Sequence, residues 1–152
     1  MSLEKDINQQ AFRNQHQKAV INLIYTWHWV NHRMRHMFGK DGITSQQFNI
    51  LRILRGAGEP LSTLQIRQRM LDRMSDTSRI VDRLLAKDLV QKIICHSDRR
   101  LVDISITEKG KILLEEMDKH ELDVDGLFMN LSETEAKQLN ILLDKIRGNS
   151  NG

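Results

Sequence analysis

Apolar residues recur at three- and four-residue intervals along most of the chain, the rhythm of helices with one buried face. Val20, Leu23, Ile24, Trp27, Val30, Met34, Met37 and Phe38 carry it across residues 10–38, and Gly39 and Gly42 punctuate its end. Thr44-Ser45-Gln46-Gln47 has the form of a capping box, in which side chains satisfy the free amides of a new helix. A second helix is therefore predicted, with Phe48, Leu51, Ile53 and Leu54 inward and a stop at Gly56-Ala57-Gly58-Glu59-Pro60. Ser62-Thr63-Leu64-Gln65 repeats the capping signal and opens a short helix, followed by a tight connection through Leu71-Asp72-Arg73-Met74. Ser75 then suits the N-cap of a third helix, with Ile80, Val81, Leu84 and Leu85 facing inward.

The pattern next changes period. Residues 89–95 are rich in β-branched side chains, and Val102-Asp103-Ile104-Ser105-Ile106 alternates apolar and polar as a strand does. The polar tip His96-Ser97-Asp98-Arg99-Arg100 lies between them. A lone hairpin is marginal and must pack on something, so its place directly after two short helices makes it a wing on a helix-turn-helix. From Thr107 the helical rhythm returns through Leu113, Leu114, Met117, Val124, Leu127 and Phe128, with Gly126 as a local break. Ser132-Glu133-Thr134-Glu135 caps a last helix carrying Leu139, Leu142, Leu143 and Ile146. The expected fold is mainly α with a small β-hairpin wing, one domain over residues 1–152 whose lobe at 44–107 is a winged helix-turn-helix.

Charge sharpens this picture. The 152 residues carry a net charge of +3, but unevenly. Residues 1–60 hold 8 Lys/Arg against 4 Asp/Glu, residues 61–101 hold 9 against 5, and residues 102–152 hold 6 against 11. The basic two-thirds suits a polyanion, and the acidic end suits another task. No apolar run is long enough to cross a bilayer, and the opening residues lack an apolar signal core, so a cytoplasmic protein without membrane contact is expected. The single cysteine, Cys95, excludes an intrachain disulfide and a cysteine-rich zinc site. No Ser/His/Asp set, phosphate-binding glycine loop or paired carboxylates emerge, so neither an enzyme nor a cofactor or metal is expected.

The stretch Ser78-Arg79-Ile80-Val81-Asp82-Arg83-Leu84, then Leu89-Val90, then Asp98-Arg99-Arg100, resembles the recognition helix, first wing strand and wing tip of the multiple-antibiotic-resistance regulator (MarR) family. The resemblance spans residues 10–147, with its specific motifs inside 61–110. It implies a homodimer joined through the terminal helices at 10–38 and 108–147. Such a dimer binds pseudo-palindromic operators in double-stranded DNA, usually represses transcription, and releases DNA on binding a small-molecule effector or on oxidation. Three positions depart from the pattern: Asp88 where the family commonly has glycine, Arg67 where a small residue is usual, and the more apolar strand Ile93-Ile94-Cys95.

A recognition helix presents its first residues to base edges in the major groove. Those residues are Ser75, Asp76, Thr77, Ser78 and Arg79, and the fork of Arg79 suits a guanine or a phosphate. Asp76 suits either a cytosine amino group or the positive end of the helix, and the short hydroxyl residues serve either as base contacts or as caps. Arg83, one turn on, reaches a phosphate or pairs with a nearby acid. At the wing tip Arg99 and Arg100 suit the minor groove; by resemblance Arg100 is the inserting residue and Asp98 orients it. The family also places an effector pocket between dimer region and DNA lobe, for which Trp27, His32, Arg35 and Phe48 are candidates, core and surface packing being the alternative. His28, His32 and His36 form a row at four-residue spacing, a candidate for metal or pH sensing or simply a polar flank. Cys95 is a candidate oxidation switch, although the family's peroxide sensors carry that cysteine in the first helix. Two other classes compete with DNA binding: a ligand- or metal-sensing helical protein with a vestigial DNA lobe, and a protein–protein adaptor.

Overall fold

The computed structural model describes residues 2–39, 42–94, 102–119 and 125–148, in two compact units over residues 1–114 and 115–152. The first unit opens with a short helix α1, Leu3–Asp6, not anticipated from the pattern. Leu3 is buried, and Glu4 pairs with Lys18 of the long helix α2, Gln15–Gly39. That ammonium holds the Glu4 carboxyl at a pKa of about 2. α2 starts five residues later than the apolar rhythm suggested, because Asn14 Oδ1 accepts from the Gln17 amide at 2.9 Å and caps the helix there.

Phe38 near the end of α2 is buried and stacks on Phe48 at 4.7 Å between ring centroids, joining α2 to α3, Ser45–Ala57. The Thr44–Gln47 capping box forms as expected, and α3 ends at Gly58 in the left-handed conformation, φ 68°. Its buried face is Gln47, Ile50, Leu51 and Leu54, one helical stripe; Phe48 and Ile53 are only half-buried beside it. The chain then forms β1, Leu61–Ser62, and the expected capped helix α4, Thr63–Arg69. Helix α5 spans Thr77–Ala86, β2 Val90–Ile94 and β3 Val102–Ile106. The hairpin register pairs Val90 with Ile106 and Ile94 with Val102. β1 pairs on the other side of β3, Leu61 opposite Ile104, giving an antiparallel sheet in the order β1-β3-β2. Ile50, Leu51, Leu61, Ile66, Leu84 and Ile104 are fully buried where α3, α4, α5 and the sheet meet. Each such side chain contributes roughly 1.5–3 kcal/mol.

Helix α6, Glu108–Asp118, begins in the first unit. In the second, a 3-10 turn spans Gly126–Phe128, starting at the glycine read as a local break in the stripe. Helix α7, Glu133–Arg147, carries the third capping box, whose Ser132 amide holds the Glu135 carboxyl below its ordinary range. Leu139 and Leu143 of α7 are half-buried, while Ile141, Leu142 and Ile146 are exposed. Among the described residues no helix is long and apolar enough to cross a membrane.

Candidate nucleic-acid interface

The turn between α4 and α5 is built around Asp72. Its carboxylate accepts from the Met74 amide at 3.0 Å, and its carbonyl accepts from the Ser75 hydroxyl. With Ser75 engaged there, the cap of α5 passes to Asp76, one residue later than the sequence suggested. Asp76 Oδ1 accepts from the Arg79 amide at 3.2 Å, and Oδ2 lies 3.2 Å from Arg79 Nε. One carboxylate thus caps the helix and steers the arginine. The Arg79 side chain nonetheless stays 79% exposed, and a guanidinium has further N–H donors beyond Nε.

Periodicity sorts the remaining candidates. Thr77, Val81 and Leu84 are buried at i, i+4 and i+7, so α5 turns Ser78, Arg79, Asp82 and Arg83 outward together. Thr77 is the correction: at 4% exposure its side chain belongs to the interior, and Oγ1 finds no hydrogen-bond partner among the described residues. Arg83 makes no ion pair among the described residues, so the salt-bridge alternative is not realised there. Cys95, Asp98, Arg99 and Arg100 lie outside the described residues.

The far end of α5 is locked. Leu89 N–H donates to Leu84 O and Asp88 N–H to Leu85 O, both at 3.0 Å, the paired bonds of a Schellman terminus. That motif needs a left-handed residue, and Asp88 supplies it at φ 57°, at the position noted above as departing from the family's usual glycine. Thr107 ties the same corner to α6: its hydroxyl donates to Asp88 O at 2.7 Å and accepts from Gly110 N–H at 3.1 Å. Lys87 Nζ reaches Gly42 O and Gln47 Oε1, joining the corner to the start of α3. Gly110 packs so closely on this corner that an added Cβ would stand 2.3 Å from Leu89 O. The helix bearing Arg79 is therefore fixed against both the wing and α6.

Two features went unread in the sequence. Leu64 and Arg67 of α4 face Met74 and the start of α5 across an open depression of about 470 Å³. A second, of about 440 Å³, lies between α1 and α2 and is lined by Leu3, Asp6, Tyr25 and Trp29. The effector candidates Trp27, His32, Arg35 and Phe48 line neither. Trp27 is exposed with its ring edge-on to His28, His32 and Arg35 are exposed, and Phe48 packs on Phe38 with Arg52 over its face. Among the described residues no group of three or more His, Cys, Asp or Glu is placed to hold a metal ion.

Two short helices joined at a tight turn, the second outward-facing and basic and followed by a hairpin, define a winged helix-turn-helix protein. Residues 43–102 match the model of the MarR family. The chain is 29% identical over 131 residues to the HTH-type transcriptional regulator MhqR of Bacillus subtilis, covering 85% of this chain and 89% of that protein. A MarR transcription factor from Planctomyces limnophilus superposes with a TM-score of 0.68 at 26% identity, over 90% of this chain and 98% of its own. A mutant MarR from E. coli complexed with operator DNA superposes with a TM-score of 0.69 at 25% identity, over 84% and 95%. Over its winged lobe the chain is thus similar to the MarR family.

Proposed function

We propose that this protein is a sequence-specific DNA-binding transcriptional regulator, acting as a homodimer that represses from pseudo-palindromic operators. The observation that carries the reading is the outward face of α5, where Arg79 is exposed yet steered by Asp76 at the end of the helix that enters a major groove. Ser78, Arg79 and Arg83 are the proposed contacts on this helix, with Ser75 and Asp76 at its start and Arg99 and Arg100, oriented by Asp98, on the wing. Exposed apolar side chains support dimerisation. Val20, Leu23, Ile24 and Trp27 form a helical stripe on α2, and Ile141, Leu142 and Ile146 lie on α7. Stripes of that kind seek a second surface. Two-fold symmetry places the recognition helices about 34 Å apart, one turn of DNA. A small-molecule effector that releases the DNA belongs to the proposal through the family alone.

Incubating the full chain with sheared genomic DNA and sequencing the retained fragments tests this reading. A shared inverted repeat supports it and supplies the operator. Retention without any common sequence, or no retention at moderate salt, refutes it.

A further inference from the structure

On the edge that carries the start of α5, three large apolar side chains stand in solvent: Met74 at 93% exposure, Leu71 at 86% and Leu64 at 63%. Single exposed hydrophobic residues are ordinary on protein surfaces, so exposure alone means little. Position is what separates Met74 and Leu64 from the rest. Both line the depression of about 470 Å³ whose other wall carries Ser75, Asp76 and Ser78, residues a recognition helix offers to base edges, with Thr77 buried among them. Arg67 lines the same depression, and Arg79 follows it by one residue, paired with Asp76 of its wall yet largely exposed, so cations lie near the apolar pair. A patch for a protein partner has no need of that arrangement, whereas a duplex supplies phosphates for the cations and base edges for what lies between them.

Only one group in the major-groove code is apolar, the C5-methyl of a pyrimidine. Resting on the DNA-binding reading above, we infer that Met74 and Leu64 form a C5-methyl reader, selecting a 5-methylpyrimidine beside the base contacted by Arg79. The two side chains divide the task. Leu64 is set on α4, whose capping box fixes its backbone, while the unbranched thioether of Met74 stands on the Asp72 turn and adjusts to the groove. Thymine and 5-methylcytosine carry the same group, so the source is a matter for experiment.

The test uses the full-length chain and the operator recovered from genomic fragments, with deoxyuridine replacing thymine one position at a time. Removing one methyl should weaken binding about fourfold at one or two thymines per half-site, the fold-change expected for uncovering one buried methyl group. Placing cytosine or 5-methylcytosine at the same positions distinguishes the sources. Tighter binding of the methylated base extends the reader to 5-methylcytosine, and equal binding restricts it to thymine. Met74→Ser and Leu64→Ser, both at exposed positions, should keep the wild-type circular dichroism, weaken the thymine operator by a similar factor and lose the distinction between thymine and deoxyuridine. Deoxyuridine tolerated everywhere in an operator that is otherwise bound specifically overturns this inference alone. Variants that retain full methyl discrimination do the same. Absence of any specific duplex overturns the DNA-binding reading and this inference with it.

Discussion

Asp88 joins the recognition helix to the wing, and its left-handed backbone allows a quantitative test. For an ordinary L residue this conformation costs roughly 1–2 kcal/mol, and aspartate suffers less because its short side chain bonds locally. The Asp88 side chain is exposed, and the bonds at this corner run through its backbone N–H and carbonyl, so a substitution changes the conformational cost and little else. Asp88→Gly removes the Cβ conflict but loosens the unfolded chain, for a net gain of about 0.5 kcal/mol. Asp88→Val places a β-branched side chain at φ 57° and should lose about 1.5 kcal/mol. The two variants then differ by about 2 kcal/mol, a shift of roughly 1 M in the urea midpoint. Unfolding at one fixed protein concentration keeps association from entering the comparison. The unfolding slope should be the same for all three proteins. A valine variant within about 0.3 kcal/mol of the parent would show that the terminus does not depend on this backbone geometry.

Three further outcomes follow from the same structure. Asp76→Ala should cost about 1 kcal/mol by removing the α5 cap, whereas Asp76→Asn keeps the cap and loses only the Arg79 pair. The asparagine protein should therefore keep its thermal midpoint but discriminate operators less well, and equal stability of both variants would dismiss the cap. Thr77→Val replaces a buried, unpartnered hydroxyl by a methyl of the same shape and should raise stability by up to about 1 kcal/mol, or ~2–4 °C by calorimetry; a loss would mean the hydroxyl is satisfied in solution. Glu4 is held at a pKa of about 2 against an ordinary 4.5, so its attachment of α1 to α2 is complete above pH 4.5 and fades as pH falls toward 2. The fluorescence of Trp29, which lines the same depression as Glu4, should follow that window, and Lys18→Met should abolish the dependence; a signal changing between pH 6 and 8 would contradict it.

What the sequence disclosed was local. All three capping boxes formed, because Thr44 with Gln47, Ser62 with Gln65 and Ser132 with Glu135 need only four consecutive residues. The hairpin strands were legible from their change of period, and Asp88 from standing where the resembling family commonly has glycine. What escaped was set by distant partners. β1 is two residues long and exists because β3, some forty residues on, pairs with it. α1 depends on Lys18, and the cap of α5 passed from Ser75 to Asp76 because Asp72 claims the Ser75 hydroxyl. The inward turn of Thr77 follows from sharing a stripe with Val81 and Leu84, and the depression between Leu64 and Met74 appears only once α4 and α5 are packed.

The central claim is that the outward face of α5 reads DNA through Arg79. Fluorescence anisotropy of the recovered operator, titrated with parent and Arg79→Ala proteins across a salt series, tests it most directly. If a dimer neutralises about eight phosphates, the parent should give a slope of log K against log salt near −7. Arg79→Ala should weaken operator binding by about 1–3 kcal/mol and narrow the gap between operator and scrambled duplex. A parent slope near zero, or an Arg79→Ala protein with unaltered affinity and selectivity, would contradict it.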